Sequence, residues 1–104
     1  MSRPRYRWWG YIKNVARAYP GLKKVPLDAL NRADRRERLA VEAALGAITS
    51  LPDGKERRGI VERVLFRRSH TLEGAALAEA VSYMTARRYQ GDFIARVAEA
   101  MGLL

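Results

Sequence analysis

Arg87 and Arg88 stand just over one helical turn after Ser82 in the run Ser82-Tyr83-Met84-Thr85-Ala86-Arg87-Arg88. A guanidinium is planar, permanently charged and donor-only, so it pairs with phosphates or with the acceptor edge of guanine. Tyr83 and Met84 offer apolar surface of the kind that meets a thymine methyl. Ser82 can cap a helix, its hydroxyl accepting from an otherwise unpaired backbone N–H. Other chemistries find little to work with. His70 is the only histidine and there is no cysteine, so no second such ligand exists to share a metal. Ser69-His70-Thr71 has a helix-capping explanation, and Gly54-Lys55 lacks the upstream glycine and following Ser or Thr of a phosphate-binding loop. Asp53 and Glu56 sit at capping-box spacing rather than as an acid–base pair. The chain is therefore read as a non-enzyme with no catalytic residue, metal or cofactor.

Such arginines need a rigid pair of helices to present them. Residues 71–93, TLEGAALAEAVSYMTARRYQGDF, read as two helices broken at Ala80-Val81-Ser82, with Thr71 capping the first. Ala75 and Ala76 are small where the second helix must cross closely, and Val81 is the apolar pin between them. This is the layout of a helix-turn-helix, whose second helix enters the DNA major groove. The plainer reading is an amphipathic helix with a solvated basic face. On the second helix, Ala86, Tyr89, Gln90, Phe93 and Val97 share the inward side, whereas Met84, Arg87, Arg88, Gly91 and Ala95 fall on the other.

Apolar residues recur at helical spacing elsewhere too, which predicts an all-α fold of about five helices in one domain of 104 residues. The first is expected over residues 5–19, on Trp8, Tyr11 or Ile12, Val15 and Tyr19, ending at Pro20-Gly21. The second runs from 28 to 48, with Leu39, Val41, Leu45 and Ile48 in its apolar half. The third follows the turn at Leu51-Pro52-Asp53-Gly54, with Asp53 as N-cap and Ile60, Val61, Val64 and Leu65 as its stripe, to about residue 68. Thr71 and Ser82 open the fourth and fifth, with Gly91 a weak point inside the fifth.

The formal charge is +9, from 20 basic and 11 acidic residues, with a pI near 10.6. That suits a polyanionic partner, nucleic acid before an anionic membrane surface. The excess is uneven: residues 1–52 carry 11 basic and 4 acidic side chains, residues 53–104 carry 9 and 7. In the basic, aromatic N-terminal helix (1–20), Arg3, Arg5, Arg7, Trp8, Trp9, Lys13 and Arg17 interleave cations with rings. They suit phosphate contact with base stacking, a membrane-surface helix, or one tryptophan in the core with solvated arginines. Arg32, Arg35, Arg36 and Arg38 read as a solvated helical face. No apolar run approaches the length of a membrane span, and no signal-peptide pattern opens the chain, so a cytoplasmic, non-membrane protein is expected.

The segment from Leu51 to Arg88 resembles region 4 of bacterial sigma factors, with Leu51-Pro52, Phe66, Thr71-Leu72-Glu73, Ala76, Ser82, Thr85, Arg87 and Arg88 at the matching places. More of the chain, including Tyr19-Pro20, the 51–57 turn, 70–76, Val81-Ser82-Tyr83 and Gly91-Asp92-Phe93, is similar to the RinA- and ArpU-like regulators of phage late genes. That resemblance implies a sigma region 4-like helix-turn-helix over residues 51–97, and a phage or prophage transcriptional activator acting on duplex DNA with host RNA polymerase. The candidate DNA-binding residues are Thr71, Ser82, Tyr83, Met84, Thr85, Arg87 and Arg88, with Arg3, Arg5 and Arg7 for phosphates. Glu79 and Ala80 depart from the family pattern, which places a large aliphatic residue and then glycine before the turn. Two other classes compete: a small terminase subunit recognising packaging sites, and a protein-interaction or inhibitor module. The oligomeric state, a dimer included, stays open.

Overall fold

Asn31, Thr71 and Ser82 each hold extended backbone and accept, through the side chain, the N–H of the residue three further on, at 2.8, 3.1 and 3.0 Å. Each thereby satisfies one of the N–H groups that a helix start leaves unpaired. A computed structural model describes residues 7–104, and it is all-helical, with no strand among them. Its helices are α1 (Trp9–Lys23), α2 (Arg32–Thr49), α3 (Gly54–Val61), α4 (Leu72–Ala78) and α5 (Tyr83–Ala100). A 3₁₀ turn, Leu27–Ala29, precedes α2, and α3 continues as a π-helical segment, Glu62–Phe66.

Two apolar clusters organise the packing. The larger joins α1, α2, α3, the π segment and α5 through Ile12, Val15, Val41, Ile48, Val61, Leu65, Phe93, Ile94 and Val97, all buried. Tyr19, Phe66 and Phe93 run through it as a chain of rings, with centroids 5.2 and 6.1 Å apart and the second contact edge-to-face. The smaller cluster lies under α4 and α5: Ile60, Ala75, Ala76, Ala86 and Tyr89. Val64 packs against both and links them.

Several boundaries and faces differ from those the sequence predicts. Pro20 does not end α1; the helix runs on to Lys23 with Pro20 inside it. Proline forfeits one backbone hydrogen bond, and the packing of Tyr19 on Phe66, with its hydroxyl donating to Glu42 at 3.0 Å, holds the helix across that gap. The second helix starts later than residue 28, because Asn31 is the cap and Leu27–Ala29 is a separate turn. Ile12, not Tyr11, faces the core. Tyr11 is exposed and donates to Glu37 at 2.9 Å. Leu39 is exposed as well, and Ala40 and Ala44 take the core positions beside Val41.

The arginine run of α2 is not a simple solvated face. Arg35 donates to the carbonyls of Leu27 and Leu30, and Arg38 to those of Leu22 and Val25 as well as to Glu42. Arg36 donates to the Met101 carbonyl at the end of α5. These side chains cross-link α2 to carbonyls at the helix ends and in the α1–α2 connection.

Asp53 stands at the N-cap position of α3 but makes no capping bond. Its carboxylate is taken by Arg57 Nε at 2.7 Å, and the same guanidinium donates to Asp92 of α5 at 2.8 Å. The Arg57 cation also lies 4.7 Å from the centre of the Tyr89 ring. Asp92 also receives Arg96 at 2.8 Å. One guanidinium thus ties the start of α3 to two successive turns of α5. Gly54, next to Asp53, is buried where a Cβ would meet the Ile48 carbonyl oxygen at 2.7 Å, so glycine lets α3 begin against the end of α2.

Phe93 is fully buried, and Phe93→Ala should destabilise the fold by about 3–5 kcal/mol, as core truncations of this size do. Thermal melts check this; an unchanged melting temperature would contradict the placement. The hydrogen bond from Arg57 holds the Asp53 carboxyl below its ordinary value. A depressed folded-state value contributes stability that is complete above the unfolded value, about 3.9, and is lost as pH falls through the folded one. The stability difference between wild type and Asp53→Asn, read from urea midpoints, should be constant above about pH 5 and shrink below about pH 4. A difference that does not change with pH would contradict the clamp.

Candidate nucleic-acid interface

The α4–α5 pair is built on small side chains. Ala75, Ala76 and Ala86 are buried between the helices, which lets the backbones approach, and Val81 packs against the same cluster. In the connection, residues 79–82, Ala80 N donates to the Leu77 carbonyl and Val81 N to the Ala76 carbonyl, at 3.2 and 3.0 Å. Ala80 takes φ 56°, the left-handed conformation that glycine adopts more readily.

Glu79, at the end of α4, is accommodated rather than buried alone. It pairs with Arg63 of the π segment, and Gly59 of α3 leaves open the space its carboxylate fills. A side chain at Gly59 would collide with that carboxylate. Sequence reasoning had no means of finding this pairing, because Glu79, Arg63 and Gly59 lie on three separate elements. The π segment supplies Arg63 twice over: its guanidinium meets Glu79, and its carbonyl accepts Ser69 N at 3.0 Å and His70 N at 3.3 Å. That wraps the chain into Thr71, helped by Arg68 at φ 54°.

The face of α5 turned away from the alanines carries the candidate contacts. Met84 is 67% exposed and Tyr83 41%. Arg88 is exposed, its guanidinium 5.9 Å from the Tyr89 ring centre. Arg87 is half-buried and interacts within the chain. Thr85 is half-buried, its hydroxyl accepting from Ser82 at 2.9 Å. Ser82 and Thr71 are exposed caps at the starts of the two helices. Gly91, expected on the same open face, is covered: a Cβ there would lie 3.6 Å from the Trp9 ring. The face therefore ends one turn beyond Arg87.

Trp8 and Trp9 both pack, partly buried, against the larger core cluster, where one tryptophan in the core with solvated arginines is among the expectations; Arg17 of the same helix is half-buried. Arg7 is exposed just before α1, and Arg3 and Arg5 lie outside the described residues. The structure thus brings Ser82, Tyr83, Met84, Thr85, Arg87 and Arg88 into one stretch of α5, with Thr71 at the start of the neighbouring helix. The His70 ring meets the Ser69 hydroxyl at 2.8 Å. Among the described residues no group of three or more His, Cys, Asp or Glu side chains is placed to hold a metal, and no helix is long and apolar enough to cross a membrane.

Many cations of residues 53–104 are already engaged. Arg57, Arg58, Arg63, Arg67 and Arg96 form ion pairs with Asp53, Asp92, Glu62 and Glu79. Partly exposed pairs of this kind carry little net energy each, but they hold these charges away from an outside ligand. Arg88 enters none of them. No protein-family model, curated protein or solved structure matches the chain.

Proposed function

We propose that this protein is a sequence-specific duplex-DNA-binding protein that places α5 in the major groove. The observation that carries this reading is the capped α4–α5 pair. Alanines allow the close crossing, Ser82 opens the second helix, and Tyr83, Met84 and Arg88 stand together on its outward face. An α-helix fits the major groove, and residues of its first two turns reach base edges when the preceding helix lies across the backbone. The charge of +9 supplies the attraction to phosphates. The resemblance to sigma region 4 and to RinA- and ArpU-like regulators supports a role in the cytoplasm as a phage or prophage transcriptional activator working with host RNA polymerase.

One observation favours protein contact as a second reading. Leu77 is 83% exposed at the end of α4, close in sequence to Met84 at 67%. Apolar side chains so open at the turn suit a polymerase subunit or, for an inhibitor module, another host protein. Failure to bind any duplex at low salt would favour the inhibitor module, and a ring of many subunits would favour a terminase role.

Arg88→Ala and Arg87→Ala should each weaken duplex binding. A base-reading arginine costs about 1–3 kcal/mol and relaxes preference at one position, whereas a phosphate-clamping one weakens all sequences alike. Titrations of a folded double variant against a selected site and a scrambled duplex check this. Wild-type binding by that variant would remove α5 from the interface.

A further inference from the structure

Lys13 and Arg17 differ from Arg38, Arg57, Arg58, Arg63, Arg67 and Arg96 in having no carboxylate partner. They stand one turn apart on α1, both half-buried. Neither makes an ion pair with the described carboxylates, and residues 1–6 contain no Asp or Glu. The Arg17 Nε is buried without a hydrogen-bond partner. Burial pushes the Lys13 ammonium down, and the like charge of Arg17 adds to that. Holding two cations together, partly desolvated and uncompensated, is unfavourable for the protein alone.

Their place on the fold indicates what compensates them. Trp9, Lys13 and Arg17 follow one another at i, i+4 and i+8, along a single ridge of α1. Trp9 lies on Gly91, and Gly91 shares its side of α5 with Met84, Arg87 and Arg88 at i, i+3, i+4 and i+7. The uncompensated ridge therefore begins where the outward face of α5 ends. We infer that Lys13 and Arg17 form a phosphate-binding site for the sugar–phosphate backbone of the duplex that α5 enters, so that α1 clamps one strand beside the groove. Phosphate oxygens accept from an ammonium and a guanidinium together, and the bound anion relieves the repulsion between the two. The inference rests on the DNA-binding reading, but it assigns a distinct role to a helix outside the helix-turn-helix.

Salt titrations of duplex binding separate the two. Lys13→Gln and Arg17→Gln should each flatten the dependence of log affinity on log salt by about 0.9, the share of one phosphate contact, and leave base preference unchanged. Lys13→Glu is the decisive variant. It replaces a repulsive pair with an i,i+4 Glu–Arg pair, so its melting temperature should rise or hold while its duplex affinity falls below that of Lys13→Gln. Lys13→Arg should keep the wild-type slope. An unchanged slope in the glutamine variants of a protein that binds duplex would overturn this inference and leave the function standing. So would weakened binding that merely tracks a lowered melting temperature. Wild-type protein that binds no duplex would instead remove the functional reading and this site with it.

Discussion

Arg57 lies where α3 begins and α5 passes, and the rotation of α5 about its own axis depends on what it holds. Its guanidinium spans Asp53 and Asp92 and covers the face of Tyr89. These contacts fix positions 89 and 92 of α5 from one side. Phe93, set edge-on against Phe66, fixes the core side one residue further. A helix gripped at 89, 92 and 93 cannot turn without breaking a partly desolvated charge network and opening a cavity in the core. The outward direction of Met84 and Arg88 follows from that grip rather than from anything in the first turn itself.

The second constraint lies at the turn. Glu79 is an awkward residue where a packed aliphatic side chain would serve, and it is kept by two distant compensations, the Arg63 cation and the missing side chain at Gly59. The π segment is what delivers Arg63 there, since a π-helical turn re-aims side chains relative to a continuous α-helix. The link from α3 through the π segment to the turn couples the position of α4 to the core. In this way the small cluster of Ala75, Ala76 and Ala86 is braced from outside as well as filled from within.

What could be read in the sequence was local. The Thr71 and Ser82 caps, the alanines of the crossing and the burial of Phe93 each follow from one residue type at one spacing, and the structure places them so. What could not be read was relational. Asp53 has the spacing of a cap, but an arginine one turn on competes for its carboxylate and wins, because the guanidinium brings a full positive charge where the backbone N–H brings only a dipole. The arginines of α2 look like a solvated face until the carbonyls of Leu22, Val25 and Met101 are brought beside them. Pro20 looks like a stop until Tyr19 finds Phe66 and Glu42. At the candidate interface the residue types of α5 were legible, whereas the covering of Gly91 by Trp9, which sets where the open face ends, was not.

In the function proposed above, the outward face of α5, framed by Ser82 and Gly91, meets a DNA duplex. Backbone amide chemical shifts followed during titration with duplex DNA test it most directly. The largest changes should fall on residues 82–88 and at Thr71, with a second group at Lys13 and Arg17, while the buried turns around Phe93 and Ile48 stay still. Changes confined to other surfaces, or none at all in a folded protein at low salt, would contradict it.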